Sequence, residues 1–449
     1  MKFEYLKVFS VSLCFCLASA CNSSVLINAG QSPGARTLQL ELCDYSASGP
    51  AELIQKDLDF IGQHFAGVIK SNPTRVSEVT LERIKQKYPR LQLWAYWNAW
   101  LIDKDNPHRK DLPDAAFIAD SANRRYLMFE SPETYRNQFL MNAGSTAWQD
   151  YSRLRIKEIL QLGYHGVFLD DVWGAPFSPD RPRASEVNFK GERLSGPIKS
   201  SLSWFPSNDF VSHFSLYLES LQTSFSSKPF FINGLNGSPL NQGMDFAEQS
   251  YLPYASAFLM DGFVYDQRRS NKFRDGTLWQ ATLDVFLEAL AQGKQVSVRS
   301  YLKDKNQVAL RLYALASYLL VANAQSRFYM TTSCQSFSYF PEWNLELGQA
   351  QQAFSSIAQA YDPKLKVFAR RFEKGMVIVN PDAKDTWPVQ LPQAMYALLP
   401  SGGDVVELKG DGKIKYQQVQ KIELAPRTAV ILLNEAPETN SENKASPKP

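Results

Sequence analysis

Gly163-Tyr164-His165-Gly166-Val167-Phe168-Leu169-Asp170-Asp171-Val172 is a short apolar run that stops on two adjacent carboxylates, the pattern of a buried strand whose carboxyl end meets solvent. Alternation places Val167, Leu169 and Asp171 on one face and Gly166, Phe168 and Asp170 on the other. With the Val/Leu face under helices, Asp170 points into a mouth and Asp171 begins the loop. In a (β/α)8 barrel the carboxyl ends of the strands carry the chemistry.

Seven similar runs accompany it: Leu38–Cys43, Ala66–Lys70, Leu91–Trp97, Pro229–Asn233, Gly262–Asp266, Gln295–Arg299 and Arg327–Thr331. Amphipathic stretches lie between them. Phe210, Phe214, Tyr217, Leu218 and Leu221 follow a helical period after Ser207-Asn208, and Leu283, Phe286, Leu287 and Leu290 do so before Gly293. Phe354, Ile357, Ala358 and Tyr361 predict a last helix. Strand and helix alternating eight times imply parallel pairing through right-handed crossovers, hence a closed (β/α)8 TIM barrel over 37–362. Two connections are long, roughly Asn98–Ala147 and Trp173–Ser207, and are expected to wall a cleft.

Beyond Asp362-Pro363 come short runs and tight turns, including Glu373-Lys374-Gly375 and Gly410-Asp411-Gly412. They predict a small antiparallel β-sandwich over 363–434, with strands at Val367–Phe372, Met376–Asn380, Pro388–Leu391, Val405–Leu408 and Ala429–Leu433. Residues 435–449 offer nothing to bury and are expected to be a disordered tail. At the other end, Lys2 and Lys7 precede the apolar run Val8–Ala20, which reads as a secretory signal over 1–20. The boundary Leu17-Ala18-Ser19-Ala20-Cys21 resembles a bacterial lipoprotein box, so Cys21 is the expected acylated terminus, with 21–36 a linker and the cell envelope the expected location. Cys43 and Cys334 then remain, at the end of strand one and just past strand eight, which adjoin once a barrel closes; a disulfide between them is one option and two thiols the other.

The chain has 449 residues, a formal charge of +3 and no basic stripe, which argues against a nucleic-acid partner. Its four histidines (His64, His108, His165 and His213) are scattered without ligand spacing, and no Gly-x-Ser-x-Gly elbow or phosphate loop appears. No cofactor is expected. Aromatic residues reach 13%, with nine Trp, which suits stacking on sugar rings as well as a heavy core. A monomer is expected.

In Asp261-Gly262-Phe263-Val264-Tyr265-Asp266, taken as strand six, Asp266 shares a parity with Gly262 and Val264 at the carboxyl end, and Asp261 enters at the wrong end. Terminal carboxylates on strands four and six can face one another over a substrate, the pairing that glycoside hydrolysis requires. Asp170 and Asp266 are therefore the expected catalytic pair, with Glu248 a rival acid. Candidate sugar contacts are Asp44, Trp97, Asn98, Trp100, Asp171, Trp173, Asn233, Glu248 and Arg299. Glu41 is a further polar residue near the end of strand one. The alternative is a polysaccharide-binding lipoprotein that keeps an aromatic cleft on a barrel scaffold without catalysis.

The blocks Gly163–Asp171, Phe231-Ile232-Asn233-Gly234 and Asp261–Asp266 resemble the strand ends of hypothetical bacterial glycosyl-hydrolase barrels, related to the polygalactosaminidase and α-galactosidase/α-amylase-like groups. Arg371–Pro381 and Leu424–Leu433 are similar to the β domain that follows such barrels. The resemblance implies a glycosidase with a nucleophile on strand four and an acid/base on strand six, mapping here to Asp170 and Asp266, where related sequences often carry Glu. It also implies retaining chemistry on a carbohydrate substrate.

Overall fold

The computed structural model describes residues 38–44, 58–118, 125–128, 138–172, 184–187, 207–235, 246–268, 272–334, 338–403 and 412–437. The expected signal, Cys21, the linker, Trp173, the run Val405–Leu408 and nearly all of the tail lie outside the described residues.

Eight parallel strands follow one another around a ring: β1 (Glu41–Asp44), β2 (Gly67–Lys70), β3 (Gln92–Asn98), β4 (Gly166–Asp170), β5 (Phe230–Asn233), β6 (Ala257–Asp266), β7 (Gln295–Tyr301) and β8 (Ser326–Thr331). A parallel bridge between Leu40 and Phe328 closes the ring. The expected TIM barrel is present. Ile69, Trp94, Phe168, Phe231, Ala257 and Leu259 form a separate apolar cluster, so these alternate positions of β2 to β6 fill the barrel interior. Below them β1 and β8 are joined by a buried ion pair of Glu41 with Arg327, whose Nη2 also donates to Gln92 Oε1 at 2.8 Å.

Helices cover the outside: residues 58–64, then Glu78–Lys87, Thr146–Gln161, Ser207–Ser224, the short Phe246–Tyr251, Gly276–Ala291 and Val308–Val321. The last predicted helix is not α-helical. Ile357–Ala360 is a single 3-10 turn capped by Ser356, and the chain leaves it as the strand Tyr361–Asp362. Pro363 accounts for the extended backbone at Asp362, because the residue before a proline is driven out of the helical region.

The two long connections meet in one unexpected element. Leu101–Asp103, Gln138–Leu140, Arg125–Met128 and Ala184–Val187 form a four-stranded antiparallel sheet at the exit of β3 and β4, so the connection after β4 pairs directly with the one after β3.

The carboxyl-terminal part is antiparallel, with six strands: Tyr361–Asp362, Val367–Phe372, Gly375–Asn380, Trp387–Ser401, Lys413–Leu424 and Thr428–Leu433. A register shift between Gln390 and Met395 bends the long strand, and the sheet closes over Val367, Ile378, Val389, Leu391 and Leu432 as a small sandwich. Its other face shares the barrel's core through Val377, Ile431 and Leu433. Arg311, fully buried, binds Glu342 by two bonds of 2.7 Å and donates to the Gly402 carbonyl at 2.9 Å, which ties barrel, turn and β domain together.

Candidate functional site

Inward parity and strand ends together select the residues of the mouth. On β4, Asp170 continues the inward series of Phe168. Its Oδ1 accepts from Asn233 Nδ2 at 2.6 Å and from the Asp171 backbone N–H at 3.0 Å, and the Tyr96 hydroxyl adds a third hydrogen bond. Asn233 ends β5 and Tyr96 lies on the inward face of β3, so both side-chain donors come from neighbouring strands. Burial raises the pKa of Asp170, the Asn233 and Tyr96 bonds pull it back, and the charge of Asp261 raises it further.

Asp171 sits at φ 58, a left-handed conformation that Asp tolerates better than most residues. That turn brings Asn98 Nδ2 within 2.7 Å of its Oδ2, while Asn98 Oδ1 accepts from the N–H groups of Trp100 and Leu101. Burial first, and then the adjacent charge of Asp170, hold Asp171 well above the usual carboxylate range. Asp170, with its three donors, is the member of the pair fitted to stay ionised.

The second carboxylate differs from the expected one. Strand six does not begin at Gly262. Ala257 to Asp261 pair with Gln295 to Arg299 in unbroken register, and the register shifts after Asp261. Ala257, Leu259 and Asp261 share the inward parity, so Asp261 ends the barrel portion and points into the mouth. Gly262 then takes φ +72, and a side chain there would strike Asp266. Beyond it the chain runs in a hairpin, with Tyr265 bridged to Phe273 and the Asp266 N–H donating to the Lys272 carbonyl at 2.7 Å.

Asp266 is 2% exposed and accepts from Arg268 Nε at 2.9 Å and from Arg268 Nη2 at 3.0 Å. The same Nη2 donates to Asp261 Oδ2 at 2.7 Å. Arg299 lies beneath, with Nη1 3.6 Å from Asp261 Oδ1 and donating to the Tyr301 hydroxyl at 3.2 Å.

Several expected sugar contacts are placed elsewhere. Trp97 has outward parity; it donates to the Tyr217 hydroxyl at 3.0 Å and stacks on Trp148 beneath the helices. Trp100 is fully buried against Phe210 and Phe214. Asp44 also takes the outward parity, with Leu42, and its Oδ2 accepts from buried Lys70 at 2.6 Å. Glu248 is buried in the short helix after β5. Asn98, Asn233 and Arg299 do lie around the carboxylates.

Sequence reasoning set Asp261 aside as lying at the wrong end of its strand and missed Arg268 and Tyr301. A signal for the first exists: Ala257-Phe258-Leu259-Met260-Asp261 repeats the form of Val167-Phe168-Leu169-Asp170, apolar residues ending on a carboxylate.

Cys43 and Cys334 form a disulfide, with Cα atoms 5.2 Å apart. It joins β1 to the segment after β8 beside the mouth, where the Tyr301 hydroxyl lies 3.7 Å from Cys334 Sγ. Among the described residues no group of three or more His, Cys, Asp or Glu side chains is placed to hold a metal ion, and no helix is long and apolar enough to cross a membrane.

No family model matches the chain, and no curated relative does. Solved structures that are similar include the glycoside hydrolase domain of PelA from Pseudomonas aeruginosa, 16% identical over 66% of this chain and 95% of that one, with a TM-score of 0.43. Ega3 of Aspergillus fumigatus in complex with galactosamine is 10% identical over 68% and 95%, with a TM-score of 0.38. The α-galactosidase TtGalA of Thermus thermophilus is 13% identical over 72% and 64%, with a TM-score of 0.44.

Proposed function

We propose that this protein is a glycoside hydrolase in which Asp170 and Asp261 form the two-carboxylate pair. The observation that carries this reading is the inward parity of both residues at the carboxyl ends of β4 and β6, close enough for the charge of one to bear on the other. In the retaining form, the ionised Asp170 attacks the anomeric carbon while the glycosidic bond breaks and Asp261 gives its proton to the departing oxygen. Water, deprotonated by Asp261, then displaces Asp170 and restores both groups. Asp171, held at high pKa beside the nucleophile, keeps a second negative charge off the site. In this reading the small sheet at the exit of β3 and β4 is the wall along which a poly- or oligosaccharide chain is laid. Trp97 packs against the core and Trp100 is buried within it, so neither of these two supports a purely binding role.

The same reading takes Cys21 as the lipid-bearing terminus that fixes the enzyme to the cell envelope; labelling with radioactive palmitate, absent from a Cys21→Ser variant, tests that part. The catalytic part is tested on bacterial exopolysaccharides and α-linked galactosaminoglycans by counting reducing ends. The parent is expected to release them and Asp170→Asn to release none. Asp261→Asn is expected to lose about 10²- to 10⁴-fold in kcat, the range for a removed general acid. Turnover surviving in Asp170→Asn refutes the assignment. The anomer of the first product, read by proton NMR, decides retention.

A further inference from the structure

Arg268 stands where an acid/base carboxylate would be expected to face only substrate. We propose that Arg268 is a positioning residue that engages Asp261 in the empty mouth and must leave it before Asp261 can donate a proton. The inference rests on the hydrolase reading above.

The arrangement is asymmetric. Of the bonds that Arg268 makes to the two carboxylates, Asp266 takes three, from Nε at 2.9 Å and the backbone N–H at 3.0 Å at Oδ1 and from Nη2 at 3.0 Å at Oδ2, and Asp261 takes one, from Nη2 at 2.7 Å. The Asp266 side chain is buried; Asp261 is 18% exposed and Arg268 48% exposed. The guanidinium lies 3.4 Å above the Tyr301 ring, a face along which it can slide. Arg268 is therefore anchored at Asp266 and releasable at Asp261. Although burial works against its charge, Asp261 first and then Tyr301 and Asp266 make Arg268 hold its proton more tightly than a free guanidinium.

A carboxylate bound to a guanidinium is in its ionised form and has no proton to give. Among the described residues, Asp170 and Asp171 on β4 and Arg299 and Tyr301 on β7 also face Asp261. With Arg268 turned aside, the ionised Asp170 favours the protonated form of Asp261, while Arg299, at 3.6 Å, opposes it. A sugar entering the mouth and displacing Nη2 thus converts Asp261 from a paired anion into an acid. This gives Asp266 a task as well: it keeps Arg268 within reach, so that the pair re-forms when product leaves.

The test uses the full chain with aspartate labelled at the carboxyl carbon, the Asp261 resonance being assigned by its loss in Asp261→Asn. Without sugar, Arg268→Gln is expected to move the titration of Asp261 to higher pH, and Arg268→Lys to restore it in large part. On a hydrolysed glycan, the basic limb of kcat/KM moves up in Arg268→Gln, raising kcat/KM about tenfold above that limb, the lower end for one adjacent opposite charge. The limb of kcat stays in place, because the guanidinium has already left in the complex. Identical titration of Asp261 in parent and Arg268→Gln, or limbs of kcat and kcat/KM that move together, overturns the inference. Release of no reducing ends by the parent defeats the hydrolase reading instead, while the titration still shows whether Arg268 governs Asp261.

Discussion

Asn233→Ala removes the 2.6 Å bond from Nδ2 to Oδ1 of the proposed nucleophile Asp170 and leaves the Asp171 N–H and the Tyr96 hydroxyl in place. A hydrogen bond to a charged group is worth about 1.5–3 kcal/mol. The lower end applies, since two donors remain and the site is partly open to water. The sign follows from which form the bond favours. It stabilises the ionised carboxylate, so its loss lifts a pKa that burial has already raised, and attack by Asp170 needs the ionised form. The acid limb of kcat/KM therefore moves to higher pH. On that limb the variant falls roughly tenfold, as 1.36 kcal/mol corresponds to one tenfold step. On the plateau, where Asp170 is ionised in both proteins, the loss is small. The assay is the pH profile of reducing-end release by parent and variant. A uniform fall at every pH means that Asn233 holds sugar rather than the charge of Asp170. An unmoved profile refutes the assignment of Asp170 as the ionised partner.

Two further predictions concern the barrel itself. Gly67 has no room for a methyl group, which would meet both carboxylate oxygens of Glu41 and Nη1 of Arg327. Gly67→Ala should break this buried pair and cost about 3–5 kcal/mol in urea unfolding, and a loss below 1 kcal/mol would show that the pair relaxes freely. The Cys43–Cys334 bond closes a loop of sequence separation 291. Its reduction, or the double change to Ser, should cost about 2–5 kcal/mol, and an equal Tm with and without dithiothreitol would refute that.

The sequence was legible where one local pattern had one meaning. Asp170 could be placed because the short apolar run Val167-Phe168-Leu169, bounded by Gly166 and two carboxylates, reads as a strand, and period-two alternation fixes its face. The β domain was legible from its turns, whereas the false last helix came from a helical spacing that the chain realises only as one 3-10 turn. Trp97 and Trp100 looked like sugar platforms because an aromatic side chain suits a cleft and a core equally, and only packing distinguishes the two.

By itself the sequence determined the alternation of eight strands with helices, the β domain after Pro363 and the carboxylate that ends strand four, because periodicity and turn chemistry act over a few residues. The tertiary structure alone decided which aspartate of Ala257–Asp266 faces the mouth. Those ten residues are apolar enough to be read as a strand from either end, and the choice lies in the pairing of Asp261 with Arg299, on a strand whose sequence is more than thirty residues away. A shift of one residue in such a strand turns every side chain to the opposite face.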